Sequence, residues 1–106
     1  MIAVTFLSED GTSQVRSAAL GTTLMRIAVQ SGVQGILAEC GGACACATCH
    51  VIVDASWVAA AGPANDLENE MLDYAVNRQP GSRLACQIEL TESMNGLIVR
   101  IPKTQK

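Results

Sequence analysis

The segment from Cys40 to His50 is the feature that most constrains this chain. It contains four of the five cysteines, at positions 40, 44, 46 and 49, and the fifth follows much later as Cys86. Apart from His50, its other residues are small, and none carries a charge. In a chain of 106 residues the core is small, and a metal centre is a common additional source of stability. The cysteines therefore predict a metal site.

Composition narrows the class of protein. The length fits a single domain over residues 1–106, and the net charge of −3 argues against nucleic acid or an anionic membrane as a partner. The first residues alternate as a strand rather than forming a leader or transit segment, and no apolar run is long enough to span a bilayer. We therefore expect a monomer in the reducing cytoplasm, where clustered cysteines are more often metal ligands than disulfides.

The first third of the chain predicts strand, strand, helix. Residues 2–7 alternate as a strand, Glu9-Asp10-Gly11 is typical of a hairpin turn, and residues 12–17 form the returning strand. Thr23 is a candidate N-cap for a helix that should end near Ser31, with Gly32 in a left-handed conformation. A long loop without periodicity follows over residues 33–49, and loops of this length in compact domains are usually functional.

The remainder predicts strand, helix and strand. We expect a strand at 51–53, an irregular segment at 54–65, a helix at 66–77, an extended segment at 83–90 and a strand at 97–101. Helical spacing puts one set of residues of the second helix on the apolar side: Leu67, Met71, Tyr74 and Ala75. The order of elements predicts an α+β domain, a small mixed sheet with a packed helix, rather than a nucleotide-binding unit.

The cysteine spacing predicts a two-iron, two-sulfur (2Fe-2S) cluster. Such clusters are held by four thiolates, and three from one loop with a fourth from elsewhere is a usual arrangement. Glycine and alanine between the cysteines let backbone N–H groups approach the sulfurs. A structural zinc site usually shows two Cys-x-x-Cys pairs, and a redox-active dithiol needs a helix N-terminus, so both alternatives fit less well. Spacing alone leaves open which four of the five cysteines are ligands.

The cysteine loop and two later segments together resemble a known family. Cys-Gly-Gly-x-x-x-Cys-Ala-Thr-Cys-His, followed by Met-Leu-Asp and Ser-Arg-Leu-x-Cys-Gln-Ile, resembles the adrenodoxin/putidaredoxin-type 2Fe-2S ferredoxins over nearly the whole chain. The resemblance implies a β-grasp fold and cluster ligands at Cys40, Cys46, Cys49 and Cys86. It leaves Cys44 as a non-ligand thiol. It also implies that the cluster loop is supported by Gly41, Gly42, Ala45, Ala47, Thr48 and His50.

Three other residues are interpreted as structural. One histidine cannot make a Rieske centre, which needs two, so we interpret His50 as a structural residue that hydrogen-bonds to the backbone near the cluster loop. Trp57 is expected to pack against the core rather than to conduct electrons, and Tyr74 is expected in the core.

Acidic residues suggest a docking surface. Five acids and no base lie between residues 54 and 73, and Asp66, Glu70 and Asp73 fall on one exposed stripe of the second helix. An oxidised cluster with four thiolates adds two negative charges and a reduced one adds three, so the charge becomes −5 or −6. A strongly negative carrier is steered to basic surfaces. The resemblance also implies that this helix is the docking surface.

These observations predict a one-electron carrier and not an enzyme, because no nucleophile, acid–base pair or open metal position is apparent. The resemblance implies a flavin-containing NAD(P)H-dependent ferredoxin reductase as donor. It favours a terminal oxygenase as acceptor, with a cytochrome P-450-type haem-thiolate monooxygenase ahead of a ring-hydroxylating dioxygenase. Cys44 keeps iron–sulfur cluster assembly open as an alternative. A redox-inert, metal-stabilised binding module would have the same fold.

Overall fold

A single mixed sheet organises the protein. The computed structural model describes residues 1–8, 10–33, 49–75 and 78–102. Within these ranges the strands are β1 (Ile2–Ser8), β2 (Ser13–Ala18), β3 (His50–Val53), β4 (Ser82–Leu84) and β5 (Leu97–Ile101). Their order across the sheet is β2-β1-β5-β3-β4, with β1 and β5 parallel and the other neighbours antiparallel. The predicted α+β architecture with a small mixed sheet is confirmed.

The N-terminal hairpin and first helix follow the local sequence signals. The hairpin closes with a hydrogen bond from the Ser8 N–H to the Thr12 carbonyl at 2.8 Å. Helix α1 (Leu24–Gln30) begins after Thr23, whose hydroxyl accepts from the Arg26 N–H at 3.2 Å. It ends where Gly32 adopts a φ of +73°, which glycine alone adopts without strain. The predicted start and end of this helix are confirmed.

The segment between β3 and β4 is more helical than predicted. A 3-10 turn (Ala55–Trp57) leads into the short helix α2 (Val58–Ala61), where the sequence predicted an irregular segment. Asp54 caps the turn, and hydrogen bonds from the Ser56 hydroxyl and amide lower the pKa of the Asp54 carboxyl.

Helix α3 (Asp66–Leu72) begins where predicted but ends earlier than residue 77. The chain continues through a tight turn in which the Tyr74 and Ala75 amides bond to the carbonyls of Met71 and Leu72, both at 3.0 Å. Such i→i+3 bonds are typical of a helix that tightens at its C-terminus.

The core lies between the sheet and the helices. The largest buried apolar side chains come from β1, α1, α3, β5 and the segment from β4 to residue 90, among them Phe6, Leu24, Leu72, Leu84, Ile88, Leu90 and Leu97. Trp57 is partly buried and packs against this core, and its ring lies beside Gly96, where an added Cβ would be 3.3 Å away, which confirms its predicted packing role. In the part of the chain that the structure describes, no helix is long and apolar enough to cross a bilayer.

A substitution at Gly81 tests how closely the chain before β4 must approach β3. Its φ is +88°, and an added Cβ would lie 2.7 Å from the Val53 carbonyl oxygen, closer than any real contact. Gly11 has a φ of +89° but open space around it, so it controls for backbone strain alone, which costs about 1–2 kcal/mol. We expect Gly81→Ala to lower the urea midpoint of unfolding more than Gly11→Ala does, as followed by far-UV circular dichroism. Equal midpoints would mean that the strand pair tolerates the extra atom.

Candidate metal centre

Two cysteines that are far apart in the sequence meet at one end of the β3–β4 pair. His50 is paired with Leu84 in the antiparallel register, so Cys49 stands opposite Ala85, just beyond the ladder. The Ala85 N–H donates to the Cys49 carbonyl oxygen at 2.9 Å, which extends the pairing by one more step. Cys49 is 2% exposed and Cys86 is 7% exposed. The structure thus brings two of the four predicted ligands to one buried location.

Cys86 is positioned from a second direction by the start of α1. It lies in a 3-10 turn (Ala85–Gln87) that follows β4 directly. Beyond this turn, the Leu24 N–H donates to the Ile88 carbonyl and the Leu90 N–H donates to the Thr22 carbonyl, both at 2.9 Å. The turn that carries Cys86 is therefore held between β3 on one side and the N-terminus of α1 on the other.

Gln87 adds a polar contact to the Cys86 sulfur that the sequence did not predict. Its side-chain Nε2 lies 3.5 Å from Cys86 Sγ. An N–H group directed at a ligand sulfur stabilises negative charge there, and such contacts help to set the potential of an iron–sulfur centre. The residue follows a predicted ligand directly, and that adjacency is the signal by which it could have been found.

His50 is buried and takes part in a side-chain network next to Cys49. Its Nε2 lies 2.7 Å from the Ser82 hydroxyl, which also accepts from the Gln79 N–H at 2.9 Å. This network crosses from β3 to the start of β4. The interpretation of His50 as a structural residue agrees with this geometry, although its partner here is a side-chain hydroxyl.

The rest of the predicted cluster loop lies outside the described residues. This applies to the predicted ligands Cys40 and Cys46 and the non-ligand Cys44. It applies equally to the predicted supporting residues Gly41, Gly42, Ala45, Ala47 and Thr48.

A buried ion pair connects α3 to β4, three residues before Cys86. Arg83 Nε donates to Glu68 Oε2 at 2.6 Å, and Arg83 Nη2 donates to Glu68 Oε1 at 2.9 Å. The Leu84 N–H also donates to Glu68 Oε2 at 2.9 Å. Glu68 is only 1% exposed, and Arg83 Nη1 donates further to the Ala61 and Gly62 carbonyls. The two-pronged geometry and the extra hydrogen bonds offset the cost of burying both charges.

Because of this ion pair, α3 has a different orientation from the one that its helical periodicity predicted. The helix turns Glu68 and Leu72 towards the core, and it leaves Leu67 56% exposed and Tyr74 79% exposed. The prediction of Tyr74 as a core residue is wrong, as is the placing of Leu67 on the buried side. Leu67 faces outward because Glu68, which has a buried partner in Arg83, occupies the inward face. Tyr74 lies outside the core because the helix ends before it, at Leu72.

The three predicted docking acids all lie on the exposed side of α3. Asp66, Glu70 and Asp73 are exposed, as predicted. Asp73 forms a salt bridge with Arg78, whose guanidinium also donates to the Asn69 backbone and side-chain oxygens at 3.2 and 3.0 Å. The charge of Asp73 is thus partly compensated at the C-terminal end of the helix.

The described donors suit an iron–sulfur cluster. Two buried thiols at one location are soft ligands of the kind that such clusters require. The sequence from residue 7 to residue 91 matches the family described as the 2Fe-2S iron–sulfur cluster binding domain. The chain belongs to the 2Fe-2S ferredoxin family. Its cofactor is one 2Fe-2S cluster, and this ferredoxin is an electron carrier rather than an enzyme.

Relatives resemble this ferredoxin over its full length. It is 47% identical to ferredoxin CarAc of a Sphingomonas species, over 98% of this chain and 95% of that one. The crystal structure of a ferredoxin from Rhodopseudomonas palustris HaA2 superposes with a TM-score of 0.95 at 43% identity, covering 98% of this chain and 99% of that chain.

Putidaredoxin is a third relative, and it has been seen with a partner. This chain is 39% identical to putidaredoxin of Pseudomonas putida, over 99% of each chain. Putidaredoxin in its covalent complex with putidaredoxin reductase superposes with a TM-score of 0.87, covering 93% of this chain and 96% of that chain. These likenesses confirm the adrenodoxin/putidaredoxin type and the β-grasp fold.

The Glu68–Arg83 pair gives a stability prediction. We expect Glu68→Gln to destabilise the protein by roughly 3–5 kcal/mol, because it leaves the buried Arg83 guanidinium without its counter-charge. Glu70→Gln, on the exposed side of the same helix, should change stability by less than about 0.5 kcal/mol. Thermal unfolding of the iron-loaded proteins, followed by visible absorbance and far-UV circular dichroism, compares them. Equal melting temperatures would show that the buried carboxylate does not hold α3 on β4.

Proposed function

We propose that this ferredoxin carries single electrons from a flavin-containing NAD(P)H-dependent ferredoxin reductase to a terminal oxygenase of the cytochrome P-450 type. The observation that carries the proposal is the convergence of Cys49 and Cys86 at the end of the β3–β4 pair, next to the strand on which α3 packs. The likeness to putidaredoxin, which forms a complex with its own reductase, supports the choice of donor. The oxygenase follows from the family type together with the Cys-Gly-Gly opening of the cluster loop.

We further propose Cys40, Cys46, Cys49 and Cys86 as the cluster ligands, with Cys44 as a non-ligand thiol. When bound, the cluster supplies one-electron chemistry between iron atoms held by thiolates. The protein contributes buried positions for Cys49 and Cys86 and the Gln87 contact to Cys86 Sγ. The small residues of the loop would let backbone N–H groups approach the sulfurs, as expected for Gly41, Gly42, Ala45, Ala47 and Thr48.

Docking is proposed to use the exposed side of α3. Asp66 and Glu70 present negative charge there, and Asp73 adds a charge that Arg78 partly compensates. A small carrier must bind each partner weakly and leave quickly, and surface charges raise the rate of encounter without creating a tight complex.

We also propose that the protein is a one-domain monomer of the cytoplasm, where reducing conditions keep the thiols available to iron.

The ligand assignment is tested with two cysteine variants. We expect Cys86→Ser to lose the cluster or to release it rapidly, because serine removes one of four thiolates. Cys44→Ser should keep the full complement of iron and sulfide. Iron and acid-labile sulfide analysis, with the visible spectrum, distinguishes the two. A colourless Cys44→Ser protein would contradict the assignment.

Reconstitution tests the proposed electron route. The reductase and a P-450-type oxygenase from the same organism are combined with NAD(P)H and the oxygenase substrate, with and without the ferredoxin. Oxidised product should form only when the ferredoxin is present. If the reduced ferredoxin does not reoxidise with the oxygenase but does so with the cluster-assembly proteins, the acceptor proposed here is wrong.

The docking role of α3 is tested in the same system. We expect Glu70→Lys to slow reduction by the reductase about tenfold at low salt, since a reversed charge repels a basic surface, and to lose this defect at high salt. The reduction potential should not change. Glu92→Lys is the matched control, because Glu92 is exposed but lies on a different turn, between Thr91 and Asn95. If both variants slow reduction to the same extent, net charge rather than α3 is responsible.

A further inference from the structure

Two large apolar side chains are exposed close to the docking acids, one in helix α3 and one in the turn that ends it. Leu67 is 56% exposed and Tyr74 is 79% exposed. Leu67 lies in the first turn of α3, and Tyr74 lies in the tight turn that follows Leu72, so they stand at the two ends of the segment that carries Glu70. We call Asp66, Leu67, Glu70 and Tyr74 the α3 stripe. Other exposed apolar residues, such as Val15 and Val29, belong to different elements of the fold.

The exposure of these side chains follows from the packing of α3. Glu68 and Leu72 occupy its inward face, and the Glu68–Arg83 ion pair determines which side of the helix meets β4. Leu67 therefore cannot turn inward without breaking a buried ion pair, and Tyr74 is exposed in the turn that follows the helix. An aromatic ring and a leucine that stay in water gain apolar burial only when another molecule covers them.

Charge is distributed unevenly over the exposed side of α3. In the described ranges, Arg78 pairs with Asp73 and Arg83 pairs with Glu68. Within those same ranges the structure gives Asp66 and Glu70 no ion-pair partner, and both belong to the α3 stripe. The stripe thus combines uncompensated negative charge with apolar surface.

We propose that Leu67 and Tyr74 are the apolar anchors with which this ferredoxin docks on its reductase, and that they enter an apolar pocket rimmed by Lys and Arg side chains. The proposal rests on the proposed function and names the contacts of its docking step. Tyrosine is among the residues most enriched at the energetic centres of interfaces, because it buries a large area with few rotatable bonds. Charges at a rim mainly set the rate of encounter and its salt dependence.

The two kinds of contact therefore predict different kinetic signatures. Loss of an anchor should weaken the complex at every salt concentration, whereas loss of an acid should weaken it only at low salt. The anchors also make the docking specific. A basic surface without a pocket for the tyrosine ring would attract this ferredoxin but would not hold it in a productive orientation.

The experiment is anaerobic stopped-flow reduction of the iron-loaded ferredoxin by its prereduced flavoprotein reductase, followed by bleaching of the cluster absorbance at low and high salt. We expect Tyr74→Ala to raise the ferredoxin concentration needed for half-maximal rate about tenfold at both salt concentrations, the effect of losing one interface anchor. Leu67→Ala should raise it less, and Tyr74→Phe should stay close to the wild-type protein because it keeps the ring. Val29→Ala, in α1 and 53% exposed, is the matched control and should have no effect.

The visible spectrum and reduction potential of each variant show that its cluster is intact, so a change in half-saturation reports docking. If Tyr74→Ala and Leu67→Ala behave like Val29→Ala, the anchor proposal is overturned while the proposed function stands. Normal reduction by the reductase combined with slower transfer to the oxygenase would overturn the anchor proposal as well. If the wild-type protein accepts no electron from the reductase, the proposed function itself fails.

Discussion

The pairing of β3 with β4 is the constraint on which the rest of the site depends. Cys86 has no other cysteine near it in the sequence, and 36 residues separate it from Cys49. The β3–β4 ladder brings the two cysteines together in space. It runs from the Ile52–Ser82 pair to the His50–Leu84 pair, and the hydrogen bond from Ala85 to the Cys49 carbonyl extends it. His50 and Ser82 reinforce the same pair of strands from their side chains. The meeting of Cys49 and Cys86 is therefore produced by the fold and not by a local motif.

One buried carboxylate, that of Glu68, connects this pair of strands to the exposed helix α3. Glu68 accepts hydrogen bonds from Arg83 and from the Leu84 amide, so it ties α3 to the strand that leads into Cys86. The same contact turns the opposite side of α3 outward, with Asp66, Leu67 and Glu70, and Tyr74 is exposed in the turn that follows. The end of β4 that leads to Cys86 is therefore connected directly to the helix of the proposed docking surface. Such a connection suits an electron carrier, because the distance between cluster and partner determines how readily an electron passes.

The sequence predicted well those features that depend on neighbouring residues. The strands near 2–7 and 97–101, the cap at Thr23 and the glycine end of α1 all follow from short-range patterns. The orientation of α3 could not be predicted in this way. Helical periodicity assigns apolar residues to the core, but Glu68 is buried by a partner 15 positions away, and that pairing appears only when β4 folds against the helix. Tyr74 was misplaced because α3 ends at Leu72, so the helical period does not extend to it.

The central claim is that four thiolates of one chain hold a single cluster that stores one electron. A reductive titration of the purified protein with dithionite under anaerobic conditions, combined with iron and acid-labile sulfide analysis, tests it most directly. We predict two irons and two sulfides per chain, a coloured oxidised protein, and bleaching that is complete after one electron per chain. A colourless protein that contains zinc and takes up no electrons would contradict the claim.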